Sequence, residues 1–133
     1  MTKNTKVNAA ILIIGNEILS GRTQDTNTSV IATWLNSIGV KVGEVRVIPD
    51  IEKTIINTLN LLRNDYNYVF TTGGIGPTHD DITAESVSKV FGLKYEIHKE
   101  AYKILESYYK LGEFNKGRQK MVWMPENANL ILN

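Results

Sequence analysis

Apolar and polar positions follow two alternating periods along the chain, which predicts strands interleaved with amphipathic helices. The run AAILII, from Ala9 to Ile14, is short, continuous and closed by Gly15, as is typical of a strand buried on both faces. A polar loop follows, and apolar residues then recur at helical spacing: Val30, Ile31, Trp34, Leu35 and Ile38. The expected N-caps of this helix are Asp25, Thr26 and Asn27, and Gly39 is its expected C-terminal cap.

The same alternation continues through the rest of the chain. VKVGEVRVI predicts a strand in which Gly43 breaks the phase, as a bulge would. Asp50 is the expected cap of a second helix, with an apolar face at Ile51, Ile55, Ile56, Leu59 and Leu62. YNYVFTT predicts a third strand, and Thr83 opens a third helix that Gly92 closes. KYEIH predicts a short strand before a fourth helix over Lys99–Leu111.

Strands that alternate with helices predict an α/β fold with three layers, α/β/α, around a mostly parallel sheet. In such sheets the carboxyl ends of the strands lie along one edge, and ligands bind there. Three segments follow strands directly, so we expect them to converge at that edge: Gly15–Glu17, Asp50 and Thr71–Asp81.

Length and chain ends limit the domain organisation. At 133 residues the chain is expected to form a single domain, over residues 1–133. Its last residues, Leu130, Ile131 and Leu132, predict a strand that is just beginning. A domain rarely ends in this way, so we expect a fragment of a longer chain, with a sheet truncated at the C-terminus.

Charge and cysteine content narrow the classes of partner. Fifteen basic and fourteen acidic residues leave a net charge of +1, without a block of like charge, which argues against nucleic acid or an anionic membrane as partner. No apolar run is long enough for a signal peptide or a membrane span. The chain has no cysteine and two histidines, which makes a zinc site improbable and indicates the reducing cytoplasm.

The segment YVFTTGGIGPTHDDIT carries the clearest functional pattern. Gly73, Gly74 and Gly76 allow positive φ angles and a close approach of backbone N–H groups to a ligand. The helix that begins at Thr83 adds the positive end of its dipole, which favours an anion. The segment matches neither a P-loop nor the dinucleotide fingerprint. A tight connection between strand and helix explains the glycines equally well.

Two adjacent aspartates, Asp80 and Asp81, favour a binding role for the loop over a simple connection between strand and helix. A carboxylate about 4 Å from a phosphate charge is repelled by about 4 kcal/mol at an effective dielectric constant near 20. A divalent cation between the carboxylate and the phosphate turns this repulsion into a net attraction. Mg²⁺ is usually bound by one or two carboxylates together with substrate phosphates. Capping of the next helix explains one of the aspartates, but not both. The pattern therefore favours metal-assisted binding of phosphate, with Asp80 and Asp81 as metal ligands.

These residues carry a resemblance to a known family. TTGGIGPTHDDIT resembles the signature loop of the molybdopterin-binding fold shared by MoaB/Mog proteins, gephyrin-type domains and CinA. GNEILSGRTQDTN, VIPD and GRQKMVWMPENA resemble segments of the CinA branch, in the same order. The resemblance implies a molybdopterin-binding-like fold that binds a nucleotide or a pterin pyrophosphate, and a homo-oligomer, either dimer or trimer.

The resemblance also implies an activity. In the CinA branch the domain is associated with metal-dependent hydrolysis of ADP-ribose, for which Mg²⁺ or Co²⁺ is the expected cofactor. The alternatives are molybdopterin binding with adenylyl transfer, as in the Mog branch, and a non-catalytic domain for ligand binding and oligomerisation. The first loop fits the Mog branch poorly.

Site residues follow from the resemblance by motif position. It makes Asp50 and Asp81 the functional acids, with Asp80 beside the metal. The phosphate loop and its surroundings comprise Thr71, Thr72, Gly73, Gly74, Gly76 and Pro77. The first loop contributes Gly15, Glu17, Ser20 and Asp25.

Overall fold

A parallel sheet of three strands organises the first half of the chain in the computed structural model, which describes residues 6–132. The strands are β1 (Asn8–Ile14), β2 (Lys41–Ile48) and β3 (Tyr68–Thr72), in the order β2-β1-β3. Both neighbours of β1 run parallel to it, as the sequence predicts. The residues Ala9 to Ile14 are all buried, which confirms a central strand covered on both faces.

Helices α1 (Asn16–Leu19), α2 (Asn27–Ser37) and α3 (Glu52–Asp65) connect these strands. The chain moves from β1 outward to β2 and then back across β1 to β3. Because parallel crossovers are right-handed, α2 and α3 cover opposite faces of the sheet. This gives the three layers that the sequence predicts, and it sets all three carboxyl strand ends along one edge.

The predicted bulge lies at Gly43. Ala9 pairs with Val42 and the next residue, Ala10, pairs with Glu44, so Gly43 is left out of the register. The ring of Tyr66 explains why a glycine is needed, because a Cβ atom on Gly43 would lie 2.7 Å from its Cε1 atom. The Tyr66 hydroxyl donates a hydrogen bond of 3.0 Å to Glu44, which holds the ring in this position.

Helix α2 buries less of its apolar surface than its periodicity suggests. Leu35 is buried, whereas Val30, Trp34 and Ile38 are more than half exposed. These three residues follow one another at intervals of four and form one stripe on the helix. No charged residue occurs in α2.

The chain divides into two compact units, the first ending at Gly73 and the second beginning at Gly74. The second unit contains the helices α4 (Thr83–Phe91), α5 (Lys99–Glu106) and α6 (Lys116–Gln119), with a 3₁₀ turn at Lys120–Val122. Its strands β4 (Tyr95–Ile97) and β5 (Trp123–Pro125) form a separate antiparallel pair. Gly92 ends α4 in the left-handed conformation, with φ of 64°, as expected of a C-terminal cap.

Three local predictions are wrong. Asp50 does not cap α3, because the N-cap is Ile51 and no side chain bonds to the first turn. Helix α5 ends at Glu106 and not at Leu111, since the chain folds back and the ring of Tyr109 stacks on Phe114, 5.7 Å away. Residues 130–132 form no strand, because they pair with no strand in the part of the chain that the structure describes.

Among residues 6–132, no helix combines the length and the apolar character that crossing a membrane requires.

Candidate functional site

The carboxyl edge of the parallel sheet carries the first group of predicted site residues. Gly15 follows β1, Asp50 lies two residues beyond β2, and Gly73 follows β3. The parallel pairing therefore confirms that these three positions share one edge of the sheet. The middle strand is the point at which the crossovers change direction, and this is where open α/β sheets bind ligands.

A pocket of about 180 Å³ opens at this edge. Its walls include Glu17 and Asp25 from the first loop, together with Thr72 and Gly73 at the end of β3. Residues Thr23 to Asn27 complete the rim. The pocket thus brings together residues from both predicted loops of the first unit. Thr71, Ser20 and Asp50 are not among the residues that line it.

Gly73 fits its position for two reasons. Its φ angle is +87°, a conformation that side chains other than that of glycine rarely adopt. A Cβ atom there would lie 2.0 Å from the carbonyl oxygen of Ile14, at the end of the neighbouring strand. The backbone of Gly73 therefore lies directly against the end of β1, closer than a residue with a side chain could come.

Glu17 and Asp25 play different parts in the first loop. The Glu17 carboxylate folds back over Gly15, whose Cβ atom would lie 2.5 Å from Oε1. Asp25 accepts hydrogen bonds from the N–H groups of Asn27 (3.0 Å) and Thr28 (3.3 Å), and from the Thr28 hydroxyl. The hydroxyl bond is the main reason why the pKa of Asp25 is below its usual value. Asp25 therefore caps the first turn of α2.

Three predicted residues of the first unit lie outside this pocket. Ser20 donates to the carbonyl oxygen of Glu17 (3.3 Å) and accepts from Nε of Arg22 (3.1 Å), which holds the first loop closed. Thr71 is an exposed residue of β3. Asp50 is half-buried and, since it does not cap α3, its carboxylate has no role in that helix.

The glycine–aspartate loop, residues 74–81, opens the second unit. Gly74 has φ of +68°, and its carbonyl oxygen accepts a 3.1 Å hydrogen bond from the N–H of Thr83. A Cβ atom on Gly74 would lie 2.1 Å from Oγ1 of the same threonine. The start of α4 thus packs against a position where only glycine fits. Gly76 and Pro77 continue the loop, with Pro77 exposed.

Asp81 is the acid of this loop whose carboxylate is fixed by hydrogen bonds. Oδ2 accepts hydrogen bonds from the backbone N–H of Thr78 (2.9 Å) and from its hydroxyl (2.7 Å). Burial opposes ionisation, but the bonds from Thr78, a further one from Gly76 and the charge of Lys120 outweigh it, so the pKa of Asp81 is below its usual value. Asp81 is therefore a carboxylate at neutral pH.

Asp80 differs from its neighbour. Its side chain is 70% exposed and lies 3.3 Å from Nε2 of His79, which is 93% exposed. Neither aspartate caps α4, whose N-cap is Ile82 without a side-chain bond. The capping alternative is therefore wrong for both of them, and Asp81 instead stabilises the loop itself.

Sequence reasoning missed Thr78 and Lys120. Thr78 supplies both donors to Asp81, and the ammonium group of Lys120 donates to the Thr78 carbonyl oxygen, across 42 positions of sequence. No periodicity links two residues so far apart. Among the described residues, no cluster of three or more histidine, aspartate or glutamate side chains is arranged to hold a metal ion. A Mg²⁺ ion that is bound mainly through substrate phosphates requires only one or two carboxylates, so the metal-ligand role of Asp80 and Asp81 stays a prediction.

Known proteins match this chain over nearly its whole length. The family described as "Probable molybdopterin binding domain" matches residues 10–131. A CinA-like protein of Flavobacterium psychrophilum is 40% identical over 131 residues, which are 94% of this chain and 31% of the relative. The chain spans about half the length of the archaeal relatives that it matches.

Solved structures agree with this match. The crystal structure of the protein CinA with unknown function from Thermoplasma acidophilum is 32% identical, with a TM-score of 0.87. The match covers 95% of this chain and 75% of that one. MoaB of Thermus thermophilus, a molybdopterin biosynthesis enzyme, has the same fold at 23% identity and a TM-score of 0.62, over 86% of this chain and 71% of that one.

Proposed function

The chain belongs to the probable molybdopterin-binding domain family, in its CinA-like branch. On that premise we propose that it binds a pyrophosphate ligand and hydrolyses it with the help of a divalent metal ion. The ligand class is a nucleotide or a pterin that carries a diphosphate, and ADP-ribose is the substrate that we assign. One observation carries the proposal: an ionised aspartate, Asp81, is held in place inside a glycine loop suited to phosphate.

The loop supplies two of the three elements that such a reaction needs. Backbone N–H groups around Gly74 are suited to stabilising charge that develops on a phosphate oxygen, whereas the N–H of Gly76 already bonds to Asp81. Asp81 supplies a fixed carboxylate, and Asp80 a second and more exposed one. Both bonds from Thr78 end on Oδ2 of Asp81 and fix the carboxylate, which would then serve as a metal ligand. When bound, Mg²⁺ or Co²⁺ would neutralise the bridging oxygens of the anhydride.

Water activation is the third element, and we assign it to Asp50. Its carboxylate stands at the carboxyl edge of the sheet and takes no part in capping α3. The carboxylates of Glu17 and Asp25 border the pocket of the first unit. Because Asp25 caps α2, we assign it a structural role in the loop, whereas Glu17 remains a candidate for ligand contact.

The test uses the purified chain with ADP-ribose, with and without Mg²⁺ or Co²⁺, and follows the products by ion-exchange chromatography. We expect metal-dependent release of AMP and ribose 5-phosphate, which Asp81→Asn abolishes. Asp80→Asn should reduce the rate less, because Asp80 is exposed and bonds only weakly to the loop. Glu96→Gln removes an exposed carboxylate of the same unit and should leave the rate unchanged.

Retained hydrolysis by a folded Asp81→Asn variant, with saturating metal, would refute the assignment. If the wild-type chain binds AMP, ADP-ribose or molybdopterin through gel filtration without turnover, the non-catalytic binding domain becomes the better interpretation. The family description names molybdopterin binding, which fits that alternative. Dimer or trimer formation stays a prediction, to be measured by sedimentation velocity.

A further inference from the structure

A basic segment of the second unit, Asn115–Lys120, lies against the glycine–aspartate loop. The Asn115 side chain starts this segment by accepting a 2.9 Å hydrogen bond from the N–H of Arg118. A Cβ atom on Gly117 would lie 3.6 Å from the carbonyl oxygen of Pro77, an ordinary van der Waals distance, so the backbone of the segment passes near the loop. The ammonium group of Lys120 donates to the carbonyl oxygen of Thr78. The hydrogen bond from Lys120 to Thr78 is therefore the contact that joins the segment to the loop.

The segment carries three positive charges, and they have different surroundings. Lys116 is exposed. The guanidinium group of Arg118 lies 4.6 Å from the centre of the Tyr109 ring and donates a 2.6 Å hydrogen bond to the carbonyl oxygen of Glu113. Lys120 is half-buried and points at the loop. Lys120 is therefore the charge that reaches the residues around Asp81.

The charges around the loop indicate a role for the contact between Lys120 and Thr78. Asp81 is ionised and lies in the loop that would receive a phosphate, so it would repel the ligand unless a positive charge offset it. Lys120 acts on the same carboxylate, since its charge helps to lower the pKa of Asp81. An ammonium group has three N–H donors, and the Thr78 carbonyl takes one of them. Among residues 6–132 Lys120 donates to no other acceptor, so two donors remain for phosphate oxygens.

We propose that Lys120 is a phosphate-binding residue, which contacts a phosphate group on the glycine–aspartate loop and supplies positive charge there independently of any metal ion. This inference rests on the proposed function for the ligand class, but it does not need hydrolysis. It predicts that the chain binds a diphosphate in the absence of a metal ion. A bound metal ion would increase the affinity and promote hydrolysis.

The experiment measures binding of inorganic pyrophosphate and of ADP-ribose by isothermal titration calorimetry, in EDTA and again in Mg²⁺. In EDTA, Lys120→Met should weaken both ligands by about 10- to 100-fold, the range expected for hydrogen bonds that involve a charged group. Lys120→Arg keeps the charge and should stay within a few-fold of wild type. Lys116→Met makes the same change of charge and side chain four residues earlier, and it should bind like wild type.

Three results would overturn the proposal: no binding by the wild-type chain in EDTA, equal losses in Lys120→Met and Lys116→Met, or wild-type affinity in Lys120→Met. Circular dichroism of each variant separates a loss of fold from a loss of contact. If Lys120→Met does not fold, Lys120→Gln repeats the test, because it removes the charge but keeps an N–H donor. Pyrophosphate binding that depends on Lys120, without release of AMP from ADP-ribose, would support Lys120 while refuting the proposed hydrolysis.

Discussion

The two units of the chain are stabilised by different means. Of the buried apolar side chains in residues 6–132, eleven belong to the first unit and two, Ala101 and Val122, to the second. The other buried side chains of the second unit are hydroxyls, at Thr83, Ser86 and Ser88. Ser86 and Ser88 donate to carbonyl oxygens of their own helix, at 2.7 and 3.0 Å. Apolar packing therefore stabilises the first unit, whereas polar contacts dominate in the second.

This difference bears on the proposed binding role of the glycine–aspartate loop. A loop that must receive and release a ligand belongs to the part of a protein that opens at low energetic cost. The glycine–aspartate loop lies in the unit with little apolar core. It is held by hydrogen bonds that Thr78 donates to Asp81 and that Lys120 donates to the Thr78 carbonyl oxygen. The pocket at the end of β1, in contrast, is built on the best-packed strand of the molecule.

The largest expected effect is in the core of the first unit. Leu12 is completely buried in β1, so Leu12→Ala should lower the free energy of unfolding by about 2–5 kcal/mol. Val122→Ala, at the best-buried apolar position of the second unit, should cost less, because a smaller volume is removed from a thinner core. Urea denaturation measures both, with the exposed Leu111→Ala as control. Equal losses at Leu12 and Val122 would contradict the comparison.

The next largest effect on stability is expected at Gly73, the last residue of the first unit. Gly21 and Gly73 both have positive φ angles, but a Cβ atom on Gly21 meets nothing within 4 Å, whereas on Gly73 it meets the Ile14 carbonyl oxygen. Gly21→Ala should therefore cost only the conformational strain, about 1–2 kcal/mol. Gly73→Ala should cost clearly more, since β1 must shift as well. If thermal denaturation gives the two variants the same stability, the close contact does not restrict this site.

His98 tests the polar side of the comparison. Its Nδ1 atom accepts a 3.2 Å hydrogen bond from the N–H of Ala101, so Nε2 carries the proton and donates to the Ala128 carbonyl oxygen at 3.0 Å. Loss of this N-cap in His98→Ala should cost about 0.5–2 kcal/mol. His79→Ala changes the other histidine, which is 93% exposed, and should have no effect. Hydrogen exchange should show faster opening at the start of α5 in His98→Ala alone.

The smallest effect is the response of the two bonded aspartates to acid. The pKa values of Asp25 and Asp81 are lowered in the folded chain. Such groups stabilise the fold above their unfolded pKa, near 3.9, and lose this contribution as the pH falls through the lower folded value. Asp25→Asn and Asp81→Asn should therefore be less stable than wild type at pH 7, and the difference should shrink below about pH 4. A difference that is constant from pH 7 to about pH 2.5 would contradict the assignment.

Sequence reasoning succeeded where the signal is local. The buried strand β1, the bulge at Gly43 and the cap at Gly92 each follow from residues that are neighbours in sequence. Sequence reasoning failed where the burial of a residue depends on contacts that are distant in sequence. Trp34 has the spacing of a core residue, yet it is exposed, because periodicity does not tell how much of a helix its sheet covers.

In the candidate site, too, local features were predicted from the sequence and contacts between distant residues were not. The glycine loop and its aspartates were predicted from their sequence pattern, and so was their place after β3. The pattern left open whether Asp81 caps a helix or stabilises its own loop, since that depends on which donors point at it. Lys120 was not predicted at all, because its contact with Thr78 exists only after the second unit has folded.

The burial of β1 has a consequence for how the protein is made. Its partner β3 is far along the chain, and Asn8 and Asn67, which bond to each other at the start of this pairing, are 59 residues apart. At usual rates of translation, about 3–12 s pass between the synthesis of one and of the other. During that interval the apolar run of Ala9 to Ile14 has no β3 to pair with. Nascent chains should therefore depend on chaperones at this stage more than the finished protein does.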